Sequence, residues 1–398
     1  MSAASYLSYV RGMRHRDPDE THRASTPLEL LFDLTFVVAV AHVAAELAHA
    51  LVTDDIGHGV VAYVMLFFAI WWAWMNFTWF ASAYDCDDAL YRIMTLVQMA
   101  GVLVLAAGVD AAFEDGNFTT VVIGYIIMRV AMVGQWLRAG LGDVDGRATA
   151  FRYAGGTLVV QIGWTARLWL PDRLGMASFL VLVLAELAVP PWAERRRRTA
   201  WHPEHIAERY GLFTIIVLGE SVLASSNAVS ADFADGGLTL DLVLLGAGGL
   251  VLLFAMWWVY FLHDTGEALR SRPHLDFLWG YSHYFIFASA AAVGAGLEAA
   301  IAHDVHPAAE SASQLTLGLA LAIAAGGYLL LVALIHARLS PSHRPTFVQA
   351  AGAAGLLGAI ALTVAPSNLP LAVVLDAAVA MGLVAVGTLS TTEVGKEA

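Results

Sequence analysis

Long apolar stretches alternate with short polar breaks along almost the whole chain, and the stretches exceed the length of an ordinary strand. A helix rises about 1.5 Å per residue, so a bilayer core of about 30 Å takes roughly 20 mainly apolar residues. Twelve stretches reach that length. They predict helices over about 28–50, 59–82, 90–109, 119–139, 152–170, 174–193, 208–228, 239–262, 276–302, 314–337, 346–365 and 369–389. Gly, Pro, Asp or Arg punctuate the breaks. The fold class is all-α, a polytopic transmembrane helix bundle of about twelve helices.

The basic residues fit this count. If the N-terminus, the loops after even-numbered helices and the C-terminus share one side, 18 of the 21 Lys and Arg fall there. The exceptions are Arg129, within the fourth helix, and Arg167 and Arg173 at the opposite face. The positive-inside rule makes the basic side cytoplasmic, with both termini on it, in a cell membrane. The opposite loops carry acids, among them Asp54, Asp55, Asp110, Glu114, Asp115, Asp304 and Glu310. They read either as a solubilising face or as a surface that raises local cation concentration. Segment 1–27 is polar, and the apolar run after it carries no signal-type cleavage site.

Composition excludes several classes. Of 398 residues, 59% are hydrophobic and 14% charged, against about 45–50% and 25% in soluble domains. A soluble enzyme, a disordered tail and a nucleic-acid binder are all excluded, and the net charge of −13 also opposes a phosphate-backbone partner. The lone Cys86 rules out an intramolecular disulfide and a multi-cysteine metal site. No phosphate-binding glycine loop, nucleophile elbow or zinc HExxH occurs, so neither metal nor cofactor is implied. Asp85-Cys86-Asp87-Asp88 reads as loop and helix cap before it reads as a Mg²⁺ site, and His202-Pro203-Glu204-His205 lacks a third ligand. The expected partners are the lipid bilayer and a cation, proton or small solute. A homo-oligomer is compatible with the sequence.

Two strings recur. Phe68-Ala69-Ile70-Trp71-Trp72-Ala73-Trp74 resembles Phe254-Ala255-Met256-Trp257-Trp258-Val259-Tyr260, and Leu31-Phe32-Asp33 resembles Leu212-Phe213-Thr214. Six helices separate the copies, which predicts two parallel six-helix repeats. The domains are then 1–27, a cytoplasmic segment; 28–193, the first half; 194–207, a basic linker containing Arg195 to Arg198; 208–389, the second half; and 390–398, a tail. The crowded tryptophans of both copies read as core packing between helices.

Ionisable residues within spanning helices are costly and nominate sites. Glu29 and Asp33, four apart, share a face of the first helix, where they favour a proton or clasp a cation, or complement the helix dipole. His42 lies deeper in the same helix, as a proton relay or a satisfied polar group. In the seventh helix Glu220 stands in an otherwise apolar span beside Ser221 and Gly219. Arg129 is its expected partner if Glu220 is structural. Glu186, His283, Glu298 and Asp376 read as packing or polar-glue residues. No catalytic residue is assigned.

The string Thr26-Pro27-Leu28-Glu29-Leu30-Leu31-Phe32-Asp33-Leu34-Thr35-Phe36-Val37 and the string Glu208 to Glu220, reading ERYGLFTIIVLGE, together resemble the bacterial low temperature requirement A family. The resemblance implies a multi-pass membrane protein across roughly 20–390 and, from the family's name, a link to growth in the cold. A weaker likeness, Phe32-Asp33 followed by small and branched apolar residues, is to a two-repeat potassium-channel family of endosomes and lysosomes. The chain departs from it in lacking Ser before Asp33 and in having Thr214 in the second half.

The leading functional expectation is a channel or carrier for a cation, proton or small solute through buried acidic residues. The alternatives are a non-transporting membrane scaffold in a stress response and a membrane-embedded enzyme acting on lipid.

Overall fold

A computed structural model of the chain describes residues 11–17, 20, 23–305, 311–340 and 344–397. The start of the expected N-terminal segment and the loop acid Glu310 lie outside the described residues. The rest is helix and connecting loop, 84% helical, with no strand among the described residues. The long helices are α1 (Pro27–Val52), α2 (Ile56–Tyr84), α3 (Ala89–Ala106), α4 (Thr119–Gly142), α5 (Arg147–Arg167), α6 (Gly175–Ala193), α7 (Pro203–Gly236), α8 (Leu240–Tyr260), α9 (Asp276–Val305), α10 (Gln314–Leu339), α11 (Arg344–Thr363) and α12 (Leu369–Glu397). Each expected span finds one of them. Short helices at Val109–Glu114 and Thr265–Ser271 were not expected.

Local chemistry sets the boundaries. At α1 the Thr26 hydroxyl accepts from the Glu29 N–H at 3.3 Å, and the Glu29 carboxylate accepts from the Thr26 N–H at 2.8 Å. That reciprocal pair is a capping box, with Pro27 suited to the first turn. Asp88, Thr239 and Ser313 cap α3, α8 and α10 by accepting from backbone N–H groups. Helix α7 starts five residues earlier than expected. His202 caps it, its Nδ1 accepting from the His205 N–H at 3.2 Å, and Pro203 follows at the first helical position. The expected tail from 390 continues α12 through Glu397.

Among the described residues, eleven helical segments are long and apolar enough to cross a membrane. The remaining long helix, α5, is about 31 Å long at 1.5 Å per residue and inverts the soluble pattern. Thr157, Gln161 and Trp164 are buried while Val159 and Ile162 are exposed. Large apolar side chains are exposed elsewhere too, including Val130, Leu184, Ile323 and Leu362. A surface of this kind suits lipid, and polar groups turn inward because hydrocarbon leaves them unpaired.

The chain forms two compact units, one of residues up to Ala39 with Ala69–Arg209, the other of Val40–Phe68 with Tyr210–Ala398. These divisions fall within α1, α2 and α7. In the first unit α3 packs on α4, α4 on α5 and α5 on α6. A Cβ on Gly124 would lie 2.5 Å from the Gly101 carbonyl oxygen, so this contact of α3 with α4 needs glycine. In the second unit α8 packs on α12, α9 on α10 and α10 on α11.

Candidate functional site

In the first unit the two carboxylates of α1 meet the start of α7. Arg209 donates from Nε to Asp33 Oδ2 at 3.0 Å and from Nη2 to Asp33 Oδ1 at 2.5 Å. Its Nη1 lies 3.1 Å from Glu29 Oε1, a charge contact without hydrogen-bond alignment. His205 Nε2 lies 3.3 Å from Glu29, and the Trp74 indole N–H donates to Asp33 at 2.7 Å. All five side chains are buried. The spacing builds this ladder. Glu29 and Asp33 are four apart on one helix, and His205 and Arg209 are four apart on the other, so each pair presents one face. Glu29 and Asp33 therefore come together as the sequence suggested, and Arg209 occupies the place of a clasped cation.

A second buried pair lies in the same unit. Arg129 was expected beside Glu220, and this is corrected: its Nη2 lies 3.2 Å from Glu186 Oε1, with both side chains buried. The Trp72 and Trp164 indoles donate to the same carboxylate at 2.8 and 3.2 Å. Arg129 also donates to the Tyr125 hydroxyl at 2.5 Å. Glu186, read as a packing residue, is thus the centre of a four-donor cluster when Tyr125 at 3.5 Å is included. A buried carboxylate without such partners would not remain charged.

The second unit holds a different arrangement. A cavity of about 300 Å³ lies among α1, α7 and α9. Its polar lining is His42, Glu220, Ser221, Asn227 and Glu298, and its other walls are Ala, Val and Gly. Neither Lys nor Arg is among the lining residues. Glu220 interacts electrostatically with His42 and with Glu298. Ser221 is buried, and its hydroxyl donates to the carbonyls of Val217 at 3.2 Å and Ala290 at 3.4 Å, so it ties α7 to α9. A Cβ on Gly294 would lie 2.5 Å from that hydroxyl, so the close approach here depends on glycine. Glu220, His42 and Ser221 thus share one cavity. Glu298, which the sequence reads as a packing or polar-glue residue, and Asn227, which it does not single out, complete it.

The loop motifs resolve into structure. Asp88 pairs with Arg138, and Asp87 pairs with Arg92 at 2.7 Å. Asp85, outside the spans and with almost no exposed side-chain surface, lies 3.6 Å from Arg16. Burial pushes its carboxyl up to about 6, with the Glu29 charge adding to the rise and Arg23 and Arg16 opposing it. Among the described residues no group of three or more His, Cys, Asp or Glu is placed to hold a metal ion.

The family model of the bacterial low temperature requirement A protein (LtrA) matches residues 24–386. The chain belongs to the LtrA family. An uncharacterized protein of Rhizobium meliloti (strain 1021) is 27% identical over 314 residues, 74% of each chain. No solved structure matches the chain. The LtrA match includes every residue of both buried ion clusters and of the cavity. The chemistry of the chain rests on those side chains.

The tryptophan expectation divides. Trp71, Trp72 and Trp74 are buried, two of them as donors to the buried carboxylates. Trp257 and Trp258 are each 44% exposed, which corrects their expected core role. Their helix α8 is apolar on that side as well, and a wide indole at a lipid boundary needs no protein partner.

Proposed function

We propose that this LtrA-family protein moves a cation or proton across the cell membrane, as a channel or carrier, through the cavity of the second unit. One observation carries the reading. Glu220 and Glu298, with His42, come from three separate spanning helices to line one cavity that has no Lys or Arg in its walls. Carboxylates in a spanning segment without a cationic side chain beside them attract a cation or take up a proton. The ion clusters of the first unit support the same reading by contrast. There each acid already has an arginine beside it, and Asp33 and Glu186 accept from indoles as well, as structural groups do. The proposed placement has both termini cytoplasmic, following the basic loops.

The test is flux in reconstituted vesicles. Glu220→Gln keeps the shape and the hydrogen-bonding capacity and removes the charge. Expression and thermal stability should stay near wild type while K⁺- or proton-driven flux is lost. Unchanged flux in this variant would take Glu220 out of the mechanism.

A further inference from the structure

The cavity among α1, α7 and α9 is larger than a bare ion needs. At about 300 Å³ it has room for roughly ten waters at ~30 Å³ each. A bare hard cation asks instead for about six to eight oxygens closing on one point. The oxygens here do not close that way: no described group is placed to hold a metal ion, and the Ser221 hydroxyl is directed to carbonyls of Val217 and Ala290. Besides the two carboxylates the walls are methyl-rich, with Ala41 and Ala45 from α1, Val217 and Ala224 from α7 and Ala291 from α9. Such a cavity suits a ligand that is cationic at its ends and apolar between them.

We infer that the cavity binds a short alkyl diammonium ion, one ammonium on Glu220 and the other on Glu298, with the carbon chain against the alanine and valine methyls. The inference rests on the cation reading of the same cavity and names its ligand class. Each ammonium gains a charge-assisted hydrogen bond to a carboxylate, which is stronger than a neutral one. The Asn227 side-chain oxygen is a further acceptor in the lining. A monoamine pairs with one carboxylate and leaves the other without a counter-charge. A hydrated alkali ion leaves the methyl walls wet and gains nothing from them.

The test is isothermal titration of the full chain in lipid nanodiscs, at constant ionic strength, with diaminobutane, butylamine and K⁺ as probes. Diaminobutane should bind at least tenfold more tightly than butylamine. Glu220→Gln and Glu298→Gln should each weaken it at least tenfold. Asp54→Asn, an exposed acid outside the cavity, should leave it unchanged. Ala41→Leu removes no charge and narrows the cavity, so it should weaken diaminobutane and spare K⁺. Equal affinity for the two amines, or indifference to both glutamine variants, overturns the inference. Glu220-dependent K⁺ flux without diaminobutane binding overturns it while the carrier reading stands. Glutamate-dependent diaminobutane binding without any flux supports the site and overturns the carrier reading.

Discussion

Arg209 holds Asp33 with two guanidinium nitrogens, at 3.0 and 2.5 Å, and both side chains are fully buried. The same guanidinium reaches Glu29, so one cation is shared by two acids while His205 lies against the second. The pairing joins the start of α7 to α1 within the first unit. It also supplies a counter-charge to two carboxylates within a spanning helix, where an unpaired one is costly.

Removing that arginine should be severe. Arg209→Met leaves Asp33 and Glu29 buried without their counter-charge, and breaking a buried pair this way costs about 3–5 kcal/mol. Arg209→Lys should rescue poorly, because an ammonium cannot reproduce the planar two-nitrogen grip. Thermal unfolding in detergent, followed by size-exclusion chromatography, checks both. A melting temperature near wild type for Arg209→Met would mean the cluster does not hold the unit together.

The pair of Arg129 and Glu186 should show strong coupling. Arg129→Met or Glu186→Gln alone leaves one buried group short of its partner. The double variant removes both charges, so its loss should fall short of the sum by more than about 1 kcal/mol. Glu186→Gln should also shift the tryptophan emission, because Trp72 and Trp164 both donate to that carboxylate. Additive losses with an unchanged spectrum would contradict the four-donor arrangement.

Helix number and the apolar spans are legible in the sequence because hydrocarbon imposes one length on every crossing. Pairings are not legible, because they depend on which helices meet. Glu29 and Asp33 announce a face by their spacing, and so do His205 and Arg209, but nothing along the chain says that the two faces touch. Arg209 counts equally well as a loop charge on the basic side. Glu298 hides for another reason: one acid near the end of a long apolar helix looks the same whether it faces lipid headgroups or a cavity. The tandem tryptophans mislead in the opposite way. Trp71-Trp72 and Trp257-Trp258 are identical pairs, yet the first is buried and the second is partly exposed.

Asp85 makes the stability pH-dependent in a stated direction. Its folded-state value near 6 exceeds an unfolded aspartate's of about 3.9, so the folded chain binds the proton more readily. The stability this contributes is present below about pH 4 and is lost as pH rises through about 6. Asp85→Asn removes the penalty and keeps an oxygen for the Asp87 N–H it accepts at 3.1 Å. The variant should be more stable than wild type at pH 8, by at most about 3 kcal/mol. The difference should close by pH 4. Thermal melts of the two proteins across that range check the sign, and a variant less stable at pH 8 would reverse it.

Helix α5 decides the topology. Its Arg147, Arg152, Gln161 and Arg167 keep it out of the eleven strongly apolar spans. Yet it is long enough to cross, packs between α4 and α6, and turns Leu158, Val159 and Ile162 outward while burying Gln161. Lipid accepts that outward face, whereas water would not favour it. Arg147 and Arg167 sit at the two ends, within reach of headgroups, so they do not oppose insertion. If α5 crosses, the crossings number twelve and the two termini share a side. If it does not, every loop after it changes side. A reporter ahead of Met1, one near Arg195 and one after Ala398 should therefore all report cytoplasm, and one inserted between Asp232 and Gly237 should report the exterior. A cytoplasmic signal at that last site would show that α5 lies along the surface and that only eleven helices span.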